Sequence, residues 1–330
     1  MILEQPKIKI LVIRFSSMGD IIYTTPVVRC LKKQLPNAEI HYLTKKNFKF
    51  LVEHNPYIDK LHLLEDKISD TIAQLKKENF DYLIDLHNSL RSTILKFKLN
   101  IKSSNYKKER VKKFLALKFK WNLIKPDHLV DRYLKTVNFL GIKNDNLPID
   151  YFLPKNTPKL EEISSEISKN NYIAFVIGAT HFTKRLPNHK VVEICKNLNK
   201  PIVLLGGKDV MANAAEIEKS LPNGLINLVG VVSLNESVTI VKNAVSVIGF
   251  DTGLTHIAEA FNKKLVTIWG STVPELLGVQ PYQVDSHYEA GVELSCRPCS
   301  KFGLAACPKG HFKCMNDINE NDITQFINNG

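Results

Sequence analysis

The chain has 330 residues, 44% of them hydrophobic and 24% charged, a composition of ordinary globular type and a length that suits two cores of about 150 residues each. No apolar run reaches the ~18–20 residues of a membrane-crossing helix. The first fifteen residues, MILEQPKIKILVIRF, have no charged leader, apolar h-region or small-residue cleavage site, so the expectation is a cytoplasmic protein that begins at Met1.

Apolar runs alternate with amphipathic ones along the chain. Residues 7–15 read as a buried strand, followed by a helix over 21–34, a strand over 39–45 and a short helix over 47–56. A strand over 59–64, a helix over 68–80 and a strand over 81–88 continue the rhythm, which is that of a parallel sheet with helices on both faces. The rhythm breaks over 96–130, and a helix over 127–141 ends at Gly141. The three prolines and many polar residues of 142–171 predict a linker. The rhythm then restarts, with strands over 172–179, 201–207, 225–230, 245–251 and 264–270, separated by helices over 187–198, 210–221, 234–244 and 253–262. A last helix is expected over 319–329. Two Rossmann-like α/β domains follow, placed at 1–155 and 156–330. Ligands on such sheets bind beyond the carboxyl ends of the strands, and with two halves the natural site is a central cleft.

Net charge is +12, and residues 96–125 hold eleven basic side chains against one glutamate. Such a patch suits an anionic membrane surface, a phosphorylated acceptor or plain solvation. No stacking aromatics or recognition-helix pattern accompany it, so no nucleic acid is expected.

Polar residues recur where strands end. Asp251-Thr252-Gly253 closes a buried strand and opens a helix, where free N–H groups and the helix dipole suit a phosphate and Gly253 allows close backbone approach. The alternative is that Asp251 or Thr252 only caps the helix. WGSTVPE offers Ser271 and Thr272 at a second exit. VIGATHFTKRLP offers Thr180 and Thr183 at a third, with Lys184 or Arg185 able to neutralise a diphosphate. LLGGKD is a fourth.

The N-terminal R-x-S-S-M-G-D-I-I-x-T-T-P and the C-terminal D-T-G-L-x-H-I-A-x-A with W-G-S-T-x-P-E resemble glycosyltransferase family 9, the heptosyltransferases of lipopolysaccharide core assembly. DYLIDLHNSLRS, HLVDRYL and LLGGKD extend the resemblance over nearly the whole chain. It implies a glycosyltransferase B fold, with acceptor on the first domain and nucleotide-sugar on the second, and a final helix that crosses back toward the first domain. It implies inverting transfer of heptose from ADP-heptose to a lipid-linked saccharide at the cytoplasmic face of the inner membrane, by a peripheral enzyme that is expected to be a monomer and to need no cofactor or catalytic metal. Asp20 is then the candidate general base; its alternative is an N-cap for the helix that follows. Thr180, Lys184, Asp251, Thr252, Gly253 and His256 are the donor-side candidates, with a packed, hydrogen-bonded role for His256 as the alternative. Ser17 and Arg91 are the acceptor-side ones, Arg91 toward a carboxylate or phosphate. Val273 stands where family members often carry Asp before the Pro, which puts the identity of the sugar in question more than the reaction.

CRPCSKFGLAACPKGHFKC brings Cys296, Cys299, Cys307, His311 and Cys314 within 19 residues. C-x2-C with further Cys and His nearby is metal-ligand spacing, and reduced thiols in a packed loop are the alternative. Two other functions stay open: the same fold with another nucleotide-sugar or acceptor, and a noncatalytic nucleotide-binding protein at a membrane surface. A dinucleotide oxidoreductase is disfavoured because the first strand-to-helix turn lacks G-x-G-x-x-G.

Overall fold

The computed structural model describes residues 7–120, 127–221 and 223–329. The chain divides into two compact units, one of residues 1–109 and 127–152, the other of 110–126 and 153–330. The changeover lies between Phe152 and Leu153. The 142–152 stretch, read above as linker, belongs to the first unit, and the end of the basic stretch, 121–125, lies outside the described residues.

In the first unit β1 (Ile8–Ile13), α1 (Met18–Ile22), α2 (Thr25–Gln34), β2 (Ala38–Lys45), β3 (Lys60–Leu64), α3 (Ile68–Lys76), β4 (Tyr82–Asp85), α4 (Leu90–Leu99) and β5 (Lys102–Asn105) alternate. The single helix expected over 21–34 is two, because Pro26 opens a new helix in the first turn of α2. The strands pair in the order β3-β2-β1-β4-β5, all parallel. Strand β1 is central and near-continuously apolar, as a sheet covered on both faces requires, and β2 beside it is mostly buried although it carries Glu39, His41 and Thr44. β5 was not foreseen: its KSSN is polar and mostly exposed at the sheet edge, so no hydrophobic period marks it.

The second unit begins with α5 (Arg110–Phe119), whose Ala116 packs with Leu276. The basic stretch, expected in the first domain, is therefore divided between the units. After α6 (Leu129–Leu134) of the first unit, the second continues with α7 (Leu160–Ile163), β6 (Ile173–Val176), α8 (Asn188–Lys196), β7 (Ile202–Leu205), α9 (Met211–Lys219), β8 (Leu225–Asn227), α10 (Leu234–Asn243), β9 (Ser246–Phe250), α11 (Gly253–Ala260), β10 (Lys264–Trp269), α12 (Pro274–Leu277), β11 (His287–Gly291), α13 (Lys313–Asn316) and α14 (Glu320–Asn328). Its six strands run β11-β10-β9-β6-β7-β8, again all parallel. Counted within the unit, this is the 3-2-1-4-5-6 order of dinucleotide-binding sheets, read from the β8 edge. α14 belongs to the second unit. It packs on its own unit's α8, β10 and β11, where Lys190 binds Glu320 at 2.9 Å and Ile323 and Ile327 enter the core.

One buried cation ties the first unit's last segment to its sheet. Arg29 of α2 is almost fully buried and donates to Asp145 at 2.8 and 2.9 Å, to Asp150, and to the carbonyls of Pro148 at 2.8 Å and Leu147 at 3.1 Å. Removing it leaves two carboxylates and two carbonyls without the cation they share. Arg29→Met is expected to lower stability to urea by about 3–5 kcal/mol, the cost of breaking one side of a buried ion pair. An unfolding midpoint within error of wild type would show that this strap is not holding the segment.

Candidate active site

Parallel strands leave a sheet at one edge, and ligands bind where the strand order reverses. In the first unit the reversal lies between β1 and β4, and in the second between β6 and β9. Ser17 and Asp20 follow β1, Arg91 follows β4, Thr180 and Lys184 follow β6, and Asp251, Thr252 and Gly253 follow β9.

Behind β1, Arg14 is buried, and its guanidinium donates to the Ser16 carbonyl at 2.6 Å and the Leu86 carbonyl at 2.6 Å. Its remaining nitrogen meets Asp20 Oδ2 at 2.6 Å. The same carboxylate oxygen accepts from Ser17 Oγ at 2.7 Å and from the Ser17 amide at 3.2 Å. Ser17, not Asp20, is the N-cap of α1, and Asp20 is the helix's third residue, its carboxylate closing a capping box on Ser17. The carboxylate keeps 31% of its side-chain surface exposed. Burial pushes its pKa up, but Arg14 and the Ser17 bonds outweigh that and hold it below the usual carboxylate value. It is an ionised, fixed and solvent-reachable acceptor at neutral pH.

At the β4 exit His87 lies against Phe15 with ring centroids 4.9 Å apart, and its Nδ1 is buried without a partner. Burial, then the nearby Arg14, lowers its pKa to about 4, so it is a neutral imidazole. Sequence reading passed over both residues. Arg14 had a signal, since it opens the R-x-S-S-M-G-D motif, whereas His87 lay unremarked in DLHNSL. Arg91, the acceptor-side candidate, is exposed on the first turn of α4.

In the second unit four charged groups form a chain. Lys184 Nζ donates to the Asp251 carbonyl and to Asp251 Oδ2 at 2.6 Å. His256 Nε2 meets Asp251 Oδ1 at 3.1 Å, and His256 Nδ1 meets Glu259 Oε2 at 3.3 Å. Glu259, which sequence reading missed, also accepts from the Tyr282 amide at 2.7 Å. The i,i+3 spacing of His256 and Glu259 carries that signal once α11 is known. Burial raises the Asp251 pKa, but His256 and Lys184 outweigh it and hold the carboxylate far below its usual range. Thr252 is the N-cap of α11 and Gly253 its first residue. Thr180 is exposed beyond β6.

Other expected hydroxyls are engaged in structure. Thr183 is buried, its Oγ1 lying 2.7 Å from Ser271 Oγ and accepting from the Leu304 amide at 2.7 Å. Arg185 donates to the Ala179 carbonyl at 2.6 Å and to Asp209 of the GGKD loop at 2.5 Å. Of the two cations considered there, Lys184 faces the Asp251 exit and Arg185 braces the loop.

Among the described residues, His41, His62 and Glu78 have donor atoms within 4.8 Å of one another. They lie among the first unit's strands β2 and β3 and the end of α3. His41 Nδ1 is 2.8 Å from His62 Nε2, its Nε2 is 2.8 Å from Glu39, and Glu78 receives Lys60 at 2.5 Å.

Two Rossmann-like parallel sheets, each with its polar residues gathered where the strand order reverses, define the glycosyltransferase B class. Over residues 69–305 the chain matches glycosyltransferase family 9 (heptosyltransferase), and it belongs to that family. It is 26% identical to lipopolysaccharide heptosyltransferase 1 of Campylobacter coli, an alignment covering 97% of this chain and 98% of that protein. Similar solved structures include the family 9 glycosyltransferase of Veillonella parvula, at TM-score 0.78 and 20% identity, covering 98% and 97% of the two chains. Another is E. coli ADP-heptose lps heptosyltransferase II, at TM-score 0.72 and 20% identity, covering 98% of each chain.

The charge chain sets a pH dependence. Burial lowers the His256 pKa, but Asp251 and Glu259 outweigh it and raise it to about 9 from an ordinary 6.5. A raised folded-state pKa means the stabilisation is complete below about 6.5 and is lost as pH rises through about 9. The wild-type thermal midpoint should fall across that window, and that of His256→Gln should fall less. Parallel curves for the two proteins would remove the imidazolium from this account.

Proposed function

We propose that this protein transfers heptose from ADP-heptose to a lipopolysaccharide core acceptor, with inversion at the anomeric carbon and Asp20 as general base. The observation that carries the reading is the fixed, ionised and partly exposed Asp20 carboxylate at the β1 exit. The donor and acceptor come from the named relatives, lipopolysaccharide heptosyltransferase 1 and ADP-heptose lps heptosyltransferase II.

In this reading an acceptor hydroxyl oxygen bonds to C1 while the bond from C1 to the diphosphate oxygen breaks on the opposite face. The hydroxyl proton passes to Asp20 and ADP leaves. A carboxylate held below its usual pKa is a modest base, so the proton moves late, when the forming bond to C1 has made the hydroxyl acidic. Negative charge grows on the departing diphosphate. Lys184 and the free N–H groups that open α11 supply positive charge there and stabilise the transition state more than the ground state. Lys184 is paired with Asp251 in the structure. A donor phosphate would share the ammonium, while Asp251, held by His256, turns its oxygens to sugar hydroxyls. Thr180 offers a further hydroxyl. Ser17 steadies Asp20, and Arg91 receives an acidic group of the acceptor.

Asp20→Asn keeps the shape and removes the base. It is expected to lower kcat by about 10²–10⁴ while ADP-heptose binding, read by calorimetry, stays near wild type. Transfer at the wild-type rate would end the base assignment, and preferential binding of UDP- or GDP-sugars would end the donor assignment.

A lipid-linked acceptor calls for docking at an anionic surface. Supporting this, α4 exposes Leu90 (78%) and Phe97 (79%), with Arg91 and Lys98 on the same helix. Flotation with vesicles containing phosphatidylglycerol should exceed that with phosphatidylcholine alone, fall with salt, and weaken in Phe97→Asp. Equal flotation with the two lipids would refute the surface.

A further inference from the structure

The cysteine-rich segment is left over once the transfer reaction is accounted for. Its four thiols, Cys296, Cys299, Cys307 and Cys314, are all free. They follow the spacing C-x2-C-x7-C-x6-C, which joins one chelate pair to two further sulfurs through short loops. Three are half-buried in irregular chain, and Cys314 sits on α13 within the second unit's core beside Met315. Each of Cys296, Cys299 and Cys307 lies close enough to act on the charge of Cys314. No three of the sulfurs meet the 4.8 Å grouping that His41, His62 and Glu78 meet, so ligation would draw them inward. The span from Cys299 to Cys307 has no helix or strand to resist that movement.

Two neighbours are built for sulfur anions. His311 Nδ1 accepts from the Lys313 amide at 3.0 Å, so a neutral imidazole carries its proton on Nε2. That nitrogen lies 3.9 Å from Cys296 Sγ and points to His311 as a donor to a thiolate, not as a fourth ligand. Arg297, inside the C-x2-C pair, donates through its terminal nitrogens to the carbonyls of Val292, Trp269 and Thr272. Its Nε is buried with no acceptor. An N–H donor left over near the thiols of Cys296, Cys299 and Cys314 lacks the anion that deprotonated sulfur would supply. Charge points the same way. Four thiolates around a divalent ion carry a net −2. Arg297 lies within the segment, and Lys120 of α5's trailing end donates to the carbonyls of Cys296 and Pro298, the latter at 2.5 Å.

We propose that Cys296, Cys299, Cys307 and Cys314 bind one thiolate-preferring transition-metal ion, zinc or iron, and that this centre positions the two strand-exit loops on the donor side of the second unit. The ligand set is soft and closed, with all four places taken by protein sulfur, so the ion is structural and has no open position for substrate. The segment is stitched to both loops. The Cys299 amide donates to the Ser271 carbonyl at 2.8 Å, and Arg297 holds the Thr272 carbonyl at 3.0 Å. On the other loop, Thr183 and Leu304 exchange hydrogen bonds at 2.7 and 3.1 Å, next to Lys184. Gly303 passes so near His181 that an added Cβ would lie 2.6 Å from the His181 Cβ. A metal that closes the segment thereby fixes Thr183–Lys184 and Ser271–Thr272. The positioning role rests on the donor reading above; the metal site does not.

The test is elemental analysis of the full chain purified without chelator, together with cobalt substitution and mass-spectrometric alkylation of each thiol. About one zinc or iron per chain is expected, with tetrahedral cobalt–thiolate absorption after exchange and the four thiols protected from alkylation until a chelator is added. Cys307→Ser should lose the metal, and Cys30→Ser, in the first unit's core, should keep it. Should Cys307→Ser fail to fold, protection of the wild-type thiols by added zinc decides the same question. Absence of zinc and iron, with all four thiols reactive in added zinc, overturns the site, as does a disulfide among them. Metal bound in wild type but unchanged ADP-heptose affinity in metal-free Cys307→Ser overturns the positioning role. Neither result bears on Asp20, whose variant is read separately.

Discussion

Parallel pairing sends every strand of a sheet out at the same edge, and the placement of chemistry in this protein depends on that constraint. With all nine strand pairs among the described residues parallel, the loops after β1 and β4 are forced together in one unit and those after β6 and β9 in the other. Helices cover both faces, so the exits are where polar side chains can reach a ligand without crossing the core. Residues as distant in sequence as Lys184 and Asp251 become a 2.6 Å pair by this route.

Each exit holds its charges in fixed partnerships. Arg14 spends two of its bonds on carbonyls before it meets Asp20, so the guanidinium is a stationary cation and the carboxylate a stationary anion. In the second unit a lysine, a carboxylate, an imidazolium and a second carboxylate alternate in sign along one chain. Alternation lets buried charge persist without an isolated ion. It also holds the Lys184 ammonium in one orientation, 2.6 Å from Asp251 Oδ2. The segment of residues 296–304 adds mechanical support, since its hydrogen bonds end on the backbones and hydroxyl of the same loops.

Legibility in the sequence followed from how local each signal was. Strands such as ILVI at β1 and IVLL at β7 are continuous apolar runs, and they were readable because both faces are buried. β5 and β11 were not, since KSSN and HYEAG lie at sheet edges with much of their side-chain surface in solvent and carry no period. Lys184 and Asp251 were readable as polar residues after strand ends, and Asp20 through the R-x-S-S-M-G-D motif. That Thr183 and Arg185 brace loops was not, because Leu304, Ser271 and Asp209 lie 24–121 residues away. The final helix was legible as a helix, but its partner was not. An amphipathic face states that something will cover it, and α8 with β10 and β11 turned out to be what does.

What the sequence determined by itself is the two-fold repetition of strand and helix, the polar strand ends, the family motifs and the cysteine spacing, all carried by residues near one another along the chain. Only the tertiary structure decided which unit takes residues 110–120, that Thr183 and Arg185 brace loops through Leu304, Ser271 and Asp209, and that Lys184 pairs with Asp251. Those outcomes depend on charge pairing and burial between segments far apart in sequence, and pairings of that kind are set by which surfaces the packed sheets bring together.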